Sequence, residues 1–211
     1  MSDLNLLYEA VLSGDTKAAQ AVTEQALAAG AEPVRLVQDS MMPAMAEVGR
    51  RFECSEYFVP ELLLSARAMK TALALLRPLL ATSEVSPAGR VIIGTVQGDL
   101  HDIGKNLVAA MLEGGGFEVI DLGVSVSPEA FLAGVRETKP DIVAMSALLT
   151  TTMPAMRTTI EAFERAGVRG EVKILVGGAP ITHGFSIEIG ADGYSDNATG
   201  AVRLARDLLA A

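Results

Sequence analysis

The run GDLHDIGKN, residues 98 to 106, holds one of the two histidines in the chain. Asp99 stands two residues before His101, between Gly98 and Gly104. A metal-ligating imidazole usually donates its second ring N–H to a carboxylate, which fixes its tautomer and tunes its basicity. An Asp-x-His turn can place both groups for that task. The same spacing suits a plain polar turn, with Asp99 and His101 in solvent and Asp102 capping the next helix. Spacing alone leaves both readings open.

Two other chemistries fail on counting. A Walker-type phosphate loop needs four residues between its first glycine and the Gly-Lys pair, then Ser or Thr. Here five residues separate Gly98 from Gly104, and Asn106 follows Lys105. Gly104-Lys105 is therefore expected only to begin the next helix. A catalytic zinc usually takes three protein ligands. The chain offers His101, His183 and Cys54, with Cys54 in the other half and His183 in a loop with no assigned role. A one-histidine metal site better suits a metal that arrives with most of its ligands supplied by a macrocycle, leaving the protein one axial position.

The elements that must position this loop follow two grammars. Residues 1 to about 80 read as helices, with apolar stripes at helical spacing. One stripe is Val34, Val37, Met41, Met45, Val48 and Phe52; another is Leu62, Ala66, Met69, Leu73, Leu76 and Leu80. Pro43 falls inside the first stripe and should kink or break it. Four amphipathic helices with short links predict a small bundle. ATSEVSPAG, residues 81 to 89, reads as a linker. Beyond it, RVIIGTV, FEVIDLG, DIVAMSAL, VKILVGG and the short ADGYS alternate with helical segments. Five strand–helix repeats predict an α/β fold with a flavodoxin-like, Rossmann-like five-stranded parallel sheet in the order 2-1-3-4-5. In that order the loops after strands 1, 3 and 4 (98–106, 146–152 and 177–182) should meet on one rim. The expected domains are a helical bundle over 1–86 and the sheet domain over 87–211.

Bulk composition narrows the partners. The net charge is −9 and is shared between the halves, with 7 basic and 11 acidic residues up to Ala88 and 10 and 15 after it. Nucleic acid is not an expected partner, because phosphate binding needs clustered Lys and Arg. A single cysteine excludes an intrachain disulfide. The N-terminus carries no signal-peptide pattern, and the apolar stretch from Val59 to Ala81 is broken by Glu61, Arg67, Lys70 and Arg77. The reading is a cytoplasmic protein with no membrane partner.

Asp99-x-His101-x-x-Gly104, then Ser146-x-Leu148, then Gly177-Gly178 resembles, in order and spacing, the signature of cobalamin-binding domains. The stretch MPAMAEVGRRFECSEYFVPELLLSARAMKTAL resembles the helical cap that precedes this domain in methionine synthase and in corrinoid proteins of methyltransferase systems. The resemblance spans nearly the whole chain. It departs at Cys54-Ser55 and at Ser195-Asp196-Asn197, outside the core signature.

The resemblance implies specific roles. His101 is the lower axial ligand to the cobalt of cobalamin or a related corrinoid, and Asp99 hydrogen-bonds it. A hydroxyl of the strand-3 loop, Thr152, extends that relay. Gly104, Ser146, Leu148, Gly177 and Gly178 line the slot for the displaced nucleotide tail, with Asp102, Ile103 and Thr150 beside them. Phe52, Val59 and Leu62 match positions that cap the corrin, although the sequence alone favours plain bundle core for them. The implied activity is methyl carriage from a substrate:corrinoid methyltransferase to a corrinoid:acceptor methyltransferase with a thiol or tetrahydrofolate acceptor. A reductive activase is a further implied partner. Such a chain is a subunit, incomplete as a catalyst alone. The alternative is a cobalamin-binding sensor or regulatory module, which would need an output domain that residues 1 to 88 do not resemble.

Overall fold

The computed structural model describes residues 3–80 and 87–210. Most of the expected linker, residues 81 to 86, lies outside them. The chain divides into two compact units, Met1–Pro87 with Glu113–Gly116 and Ala88–Leu112 with Phe117–Ala211.

The first unit is helical: α1 (Asp3–Leu12), α2 (Thr16–Ala28), α3 (Pro33–Leu36), α4 (Met42–Glu53) and α5 (Val59–Leu80). Asp15 caps α2 by accepting the Ala18 N–H at 3.0 Å, a contact that contributes about 1 kcal/mol. The last carbonyl of α1, on Leu12, receives the hydroxyls of Tyr57 (3.2 Å) and Ser65 (3.0 Å). Both donors satisfy a group that a helix end leaves unpaired.

The break expected at Pro43 takes a particular form. A π-helical turn, Val37–Met41, joins α3 to α4, and the Met42 N–H reaches back five residues to Val37 O. Proline has no N–H and its ring clashes with the carbonyl four residues earlier, so an ordinary turn cannot run through it. The extra residue in the π turn shifts the phase of the stripe. Leu36 and Ser40 therefore turn inward with Met41, Met45 and Val48, while Val34, Val37 and Phe52 are only half-buried. The Ser40 hydroxyl is satisfied by Leu4 O at 2.7 Å.

The second unit is a five-stranded parallel sheet in the order β2-β1-β3-β4-β5, with a helix after each strand. Its elements are β1 (Arg90–Thr95), α6 (Ile103–Gly114), β2 (Glu118–Asp121), α7 (Pro128–Thr138), β3 (Ile142–Ser146), α8 (Pro154–Arg165), β4 (Lys173–Gly177), α9 (His183–Glu188), β5 (Gly193–Tyr194) and α10 (Ala198–Ala210). The three central strands carry unbroken apolar runs because helices cover both faces of such a sheet. Ile92, Val143, Met145, Ile174 and Val176 form the core with Phe131, Met156, Ile160 and Phe163 from the helices. Removing a fully buried ring such as Phe131 would cost about 3–5 kcal/mol. Register decides what happens next: Thr95 pairs with Ser146, and Ser146 with Gly177. Three strands thus end side by side, and their loops leave from one line.

Among the described residues, no helix is long and apolar enough to cross a membrane.

Candidate functional site

The loop after β1 turns back on itself at once. Gly98 takes a positive φ of +84°, and the Asp99 N–H bonds to Val96 O at 3.1 Å. The Thr95 hydroxyl, buried at the strand end, holds the His101 carbonyl at 2.8 Å. From the other side the loop after β2 supplies Ser125. Its N–H reaches Asp99 O at 2.9 Å, and its hydroxyl receives the Gly98 N–H at 3.1 Å. The backbone around Asp99 and His101 is therefore anchored on both sides.

Asp99 is fully buried, so the solvent-turn reading fails for it, whereas His101 stays half exposed. A buried carboxylate must be satisfied on all its lone pairs. Oδ1 accepts the His101 N–H at 3.1 Å and pairs with His101 Nδ1 at 2.6 Å. Oδ2 accepts the N–H groups of Leu148 (2.8 Å) and Leu149 (3.3 Å) and the Thr152 hydroxyl (2.7 Å). Thr152 has one hydroxyl proton, and Leu149 O also lies within reach at 2.9 Å. The charged oxygen is the stronger acceptor. Burial pushes the Asp99 carboxyl up, but the Leu148 N–H, the Thr152 hydroxyl and the His101 contacts outweigh it and hold the group well below the usual carboxylate range.

The charge on Asp99 settles the state of its neighbour. An ionised carboxylate only accepts hydrogen bonds, so His101 must carry a proton on Nδ1. In the neutral imidazole this leaves the Nε2 lone pair free. The His101 side chain is 50% exposed, and Nε2 has no hydrogen-bond partner among the described residues. Asp99, His101 and Thr152 form one hydrogen-bonded relay, drawn from the loops after β1 and β3.

The rim around this relay is apolar. Leu100 (73% exposed) and Ile103 (74% exposed) flank His101 in sequence, and Val124, Leu148 and Leu149 are exposed on the loops after β2 and β3. Gly104, in the first turn of α6, has nothing within 4 Å of where a Cβ would stand. No packing within the chain demands glycine there. Gly178 is the opposite case: at φ +131° an added Cβ would lie 1.9 Å from Ala147 O. It lets the loop after β4 press against the loop after β3. Gly177 ends β4 beside Ser146, which is half-buried, and Thr150 is exposed in the turn before α8. Loops 1, 3 and 4 thus converge as the strand order requires.

The helical unit holds the other named positions. Phe52 is half-buried in the last turn of α4, Val59 is exposed at the start of α5, and Leu62 is fully buried. His183 begins α9 and is exposed. Asp102 precedes α6, and its carboxylate takes the Asn106 side-chain amide at 3.1 Å.

Sequence reasoning passed over Lys105. It does begin a helix, but its side chain is 2% exposed and pairs with Asp121 at 2.5 Å. A lysine in the first turn of a helix opposes the helix dipole. That opposition was the available signal that Lys105 has a specific partner. Leu149, Thr95 and Ser125 were also missed, the first because it acts through its backbone.

Comparison with known proteins converges on one family. Two models described as B12 binding domains match residues 89–203 and 4–77. The chain is 42% identical over 203 residues to trimethylamine corrinoid protein 1 of Methanosarcina acetivorans, covering 95% of this chain and 94% of that protein. Its fold matches a cobalamin-binding protein from Desulfitobacterium hafniense with a TM-score of 0.80 at 32% identity, covering 99% of each chain. It also matches the methanol:cobalamin methyltransferase complex MtaBC from Methanosarcina barkeri with a TM-score of 0.89 at 29% identity, covering 99% of this chain and 80% of that one.

Proposed function

The chain belongs to the B12-binding domain family, and from that premise we propose that it is a corrinoid methyl carrier in which His101 is the lower ligand to cobalt. The observation that carries this reading is the imidazole itself: Nδ1 is committed to a buried, saturated carboxylate, the side chain is half exposed, and Nε2 has no hydrogen-bond partner among the described residues.

The residues fit the group. One imidazole suffices for a cobalt held by a macrocycle, and His101 offers one beside a buried carboxylate. The exposed Leu100, Ile103, Val124, Leu148 and Leu149 suit the apolar body of a corrin. The open space over Gly104 suits a close approach by a bulky ligand, and Ser146, Thr150, Gly177 and Gly178 would line the path of its nucleotide tail.

When bound, the corrinoid supplies the cobalt centre that accepts and gives up a methyl group. The protein's part is orientation and proton management. Asp99 keeps the Nδ1 proton in place, so any proton the imidazole gains or loses moves at Nε2. Thr152 and the Leu148 and Leu149 N–H groups keep Asp99 ionised throughout. The chemistry at the donor and the acceptor belongs to partner methyltransferases. The trimethylamine and methanol named in its relatives make a small methylated amine or alcohol the donor class to try first.

The test is a visible spectrum of the protein after incubation with hydroxocobalamin and desalting, beside His101→Ala. Retained corrin absorbance that changes in the variant is the expected result. A folded wild-type protein that stays colourless would overturn the assignment.

A further inference from the structure

Lys105 is a buried cation in an unfavourable place. It sits in the first turn of α6, at 2% exposure, where both burial and the helix dipole oppose its charge. Its Nζ donates to Asp121 Oδ2 at 2.5 Å and to Asn106 Oδ1 at 2.6 Å. Asn106 in turn donates its side-chain amide to Asp102, the residue next to His101, and its N–H to Asp102 O at 2.7 Å.

The other end of the pair reaches the same loop by a different route. Asp121 closes β2, and its Oδ1 accepts the Gly123 N–H at 2.8 Å. Gly123 O receives the Thr95 N–H, and Ser125 holds Asp99 O and the Gly98 N–H. The contacts make a closed ring: Asp99, His101 and Asp102 along the chain, Lys105 to Asp121 by the ion pair, then Gly123 and Ser125 back to Asp99. Lys105–Asp121 is the side-chain link that closes it. A helix start free to rotate would carry His101 with it, because Asp102 separates the two by a single residue.

We infer that Lys105, paired with Asp121, is a positioning residue that fixes the orientation of His101 from the side opposite Thr152. This rests on the reading of His101 as a cobalt ligand. Outer partners that orient a metal-bound histidine typically change metal affinity by about 10–100-fold when removed.

The experiment uses the full chain and Lys105→Met with Asp121→Asn, which removes both charges and leaves no buried ion alone. Lys105→Met by itself, which leaves unpaired only the part-exposed Asp121 carboxylate, serves as the second variant if the double one does not fold. Two-bond 1H–15N spectra of the cofactor-free protein report the tautomer of His101. Wild type shows Nδ1–H alone; in the variant the loosened imidazole leaves Asp99 Oδ1 part of the time and shows a mixture, with an unchanged far-UV spectrum and hydroxocobalamin bound roughly 10-fold more weakly. A folded variant with the wild-type tautomer and wild-type affinity overturns the inference. A wild type that binds no hydroxocobalamin sinks the cofactor reading instead, and the tautomer spectra still decide the role of Lys105.

Discussion

The Thr152 hydroxyl meets Asp99 Oδ2 at 2.7 Å across 53 residues of sequence. It ties the loop after β3 to the loop after β1 through a charge-assisted bond, the stronger kind. Thr152→Val keeps the shape and removes the donor. It should cost about 1.5–3 kcal/mol of folding stability, the usual value for a hydrogen bond to a charged group, measured by urea denaturation. An unchanged midpoint would mean that the hydroxyl spends its proton on Leu149 O.

Asp99→Asn tests the tautomer argument. The asparagine carbonyl must face the three donors on the Leu148, Leu149 and Thr152 side, which turns its NH2 toward His101 Nδ1. The imidazole then has to accept at Nδ1 and carry its proton on Nε2, where the lone pair is needed. Cobalamin affinity should fall about 10–100-fold, and the imidazole 15N spectrum should report the Nε2–H form. Retention of the Nδ1–H form would show that charge on Asp99 does not dictate the tautomer.

Two glycines should separate folding from binding. Gly178→Ala places a Cβ 1.9 Å from Ala147 O at φ +131°, and should destabilise the chain by about 3 kcal/mol or more through strain and overlap. Gly104→Ala meets nothing in the chain. It should leave stability level or raise it by at most about 1 kcal/mol through helix propensity, while weakening retention of hydroxocobalamin. Full retention by Gly104→Ala would move the ligand away from α6.

The sheet was legible in the sequence because a covered parallel strand has to be an apolar run, and RVIIGTV, DIVAMSAL and VKILVGG have few alternatives. The convergence of three loops followed from strand order alone. Pro43 announced a break but not its geometry, because proline's missing N–H is compatible with either a kink or a π turn. Lys105 was illegible for a different reason. A lysine at a helix start reads as solvated until the end of β2 is known to lie beside it.

The helical unit carries its own titration. Arg50 and Arg51 hydrogen-bond Glu47 and hold its carboxyl at about 2, well below the usual range. A depressed folded-state pKa stabilises above the unfolded value, about 4.3, and that stabilisation is lost as the pH falls toward the folded value. The difference in melting temperature between wild type and Glu47→Gln should therefore be constant from about pH 5 to pH 8 and shrink below about pH 4. A difference that grows on acidification would reverse the sign.

Asp99 draws its donors from residues 101, 148, 149 and 152, and β1 meets β3 only by parallel pairing across α6, β2 and α7. No local segment can make the site in advance. If the cofactor docks on His101 as proposed, it would meet a complete site only in a chain whose long-range pairing is complete, and loading would double as proofreading of the fold. Free ligand in excess stabilises whatever it binds by mass action. Amide hydrogens of β1, β3 and β4 should accordingly exchange together, and all slow by the same factor, once the chain is loaded.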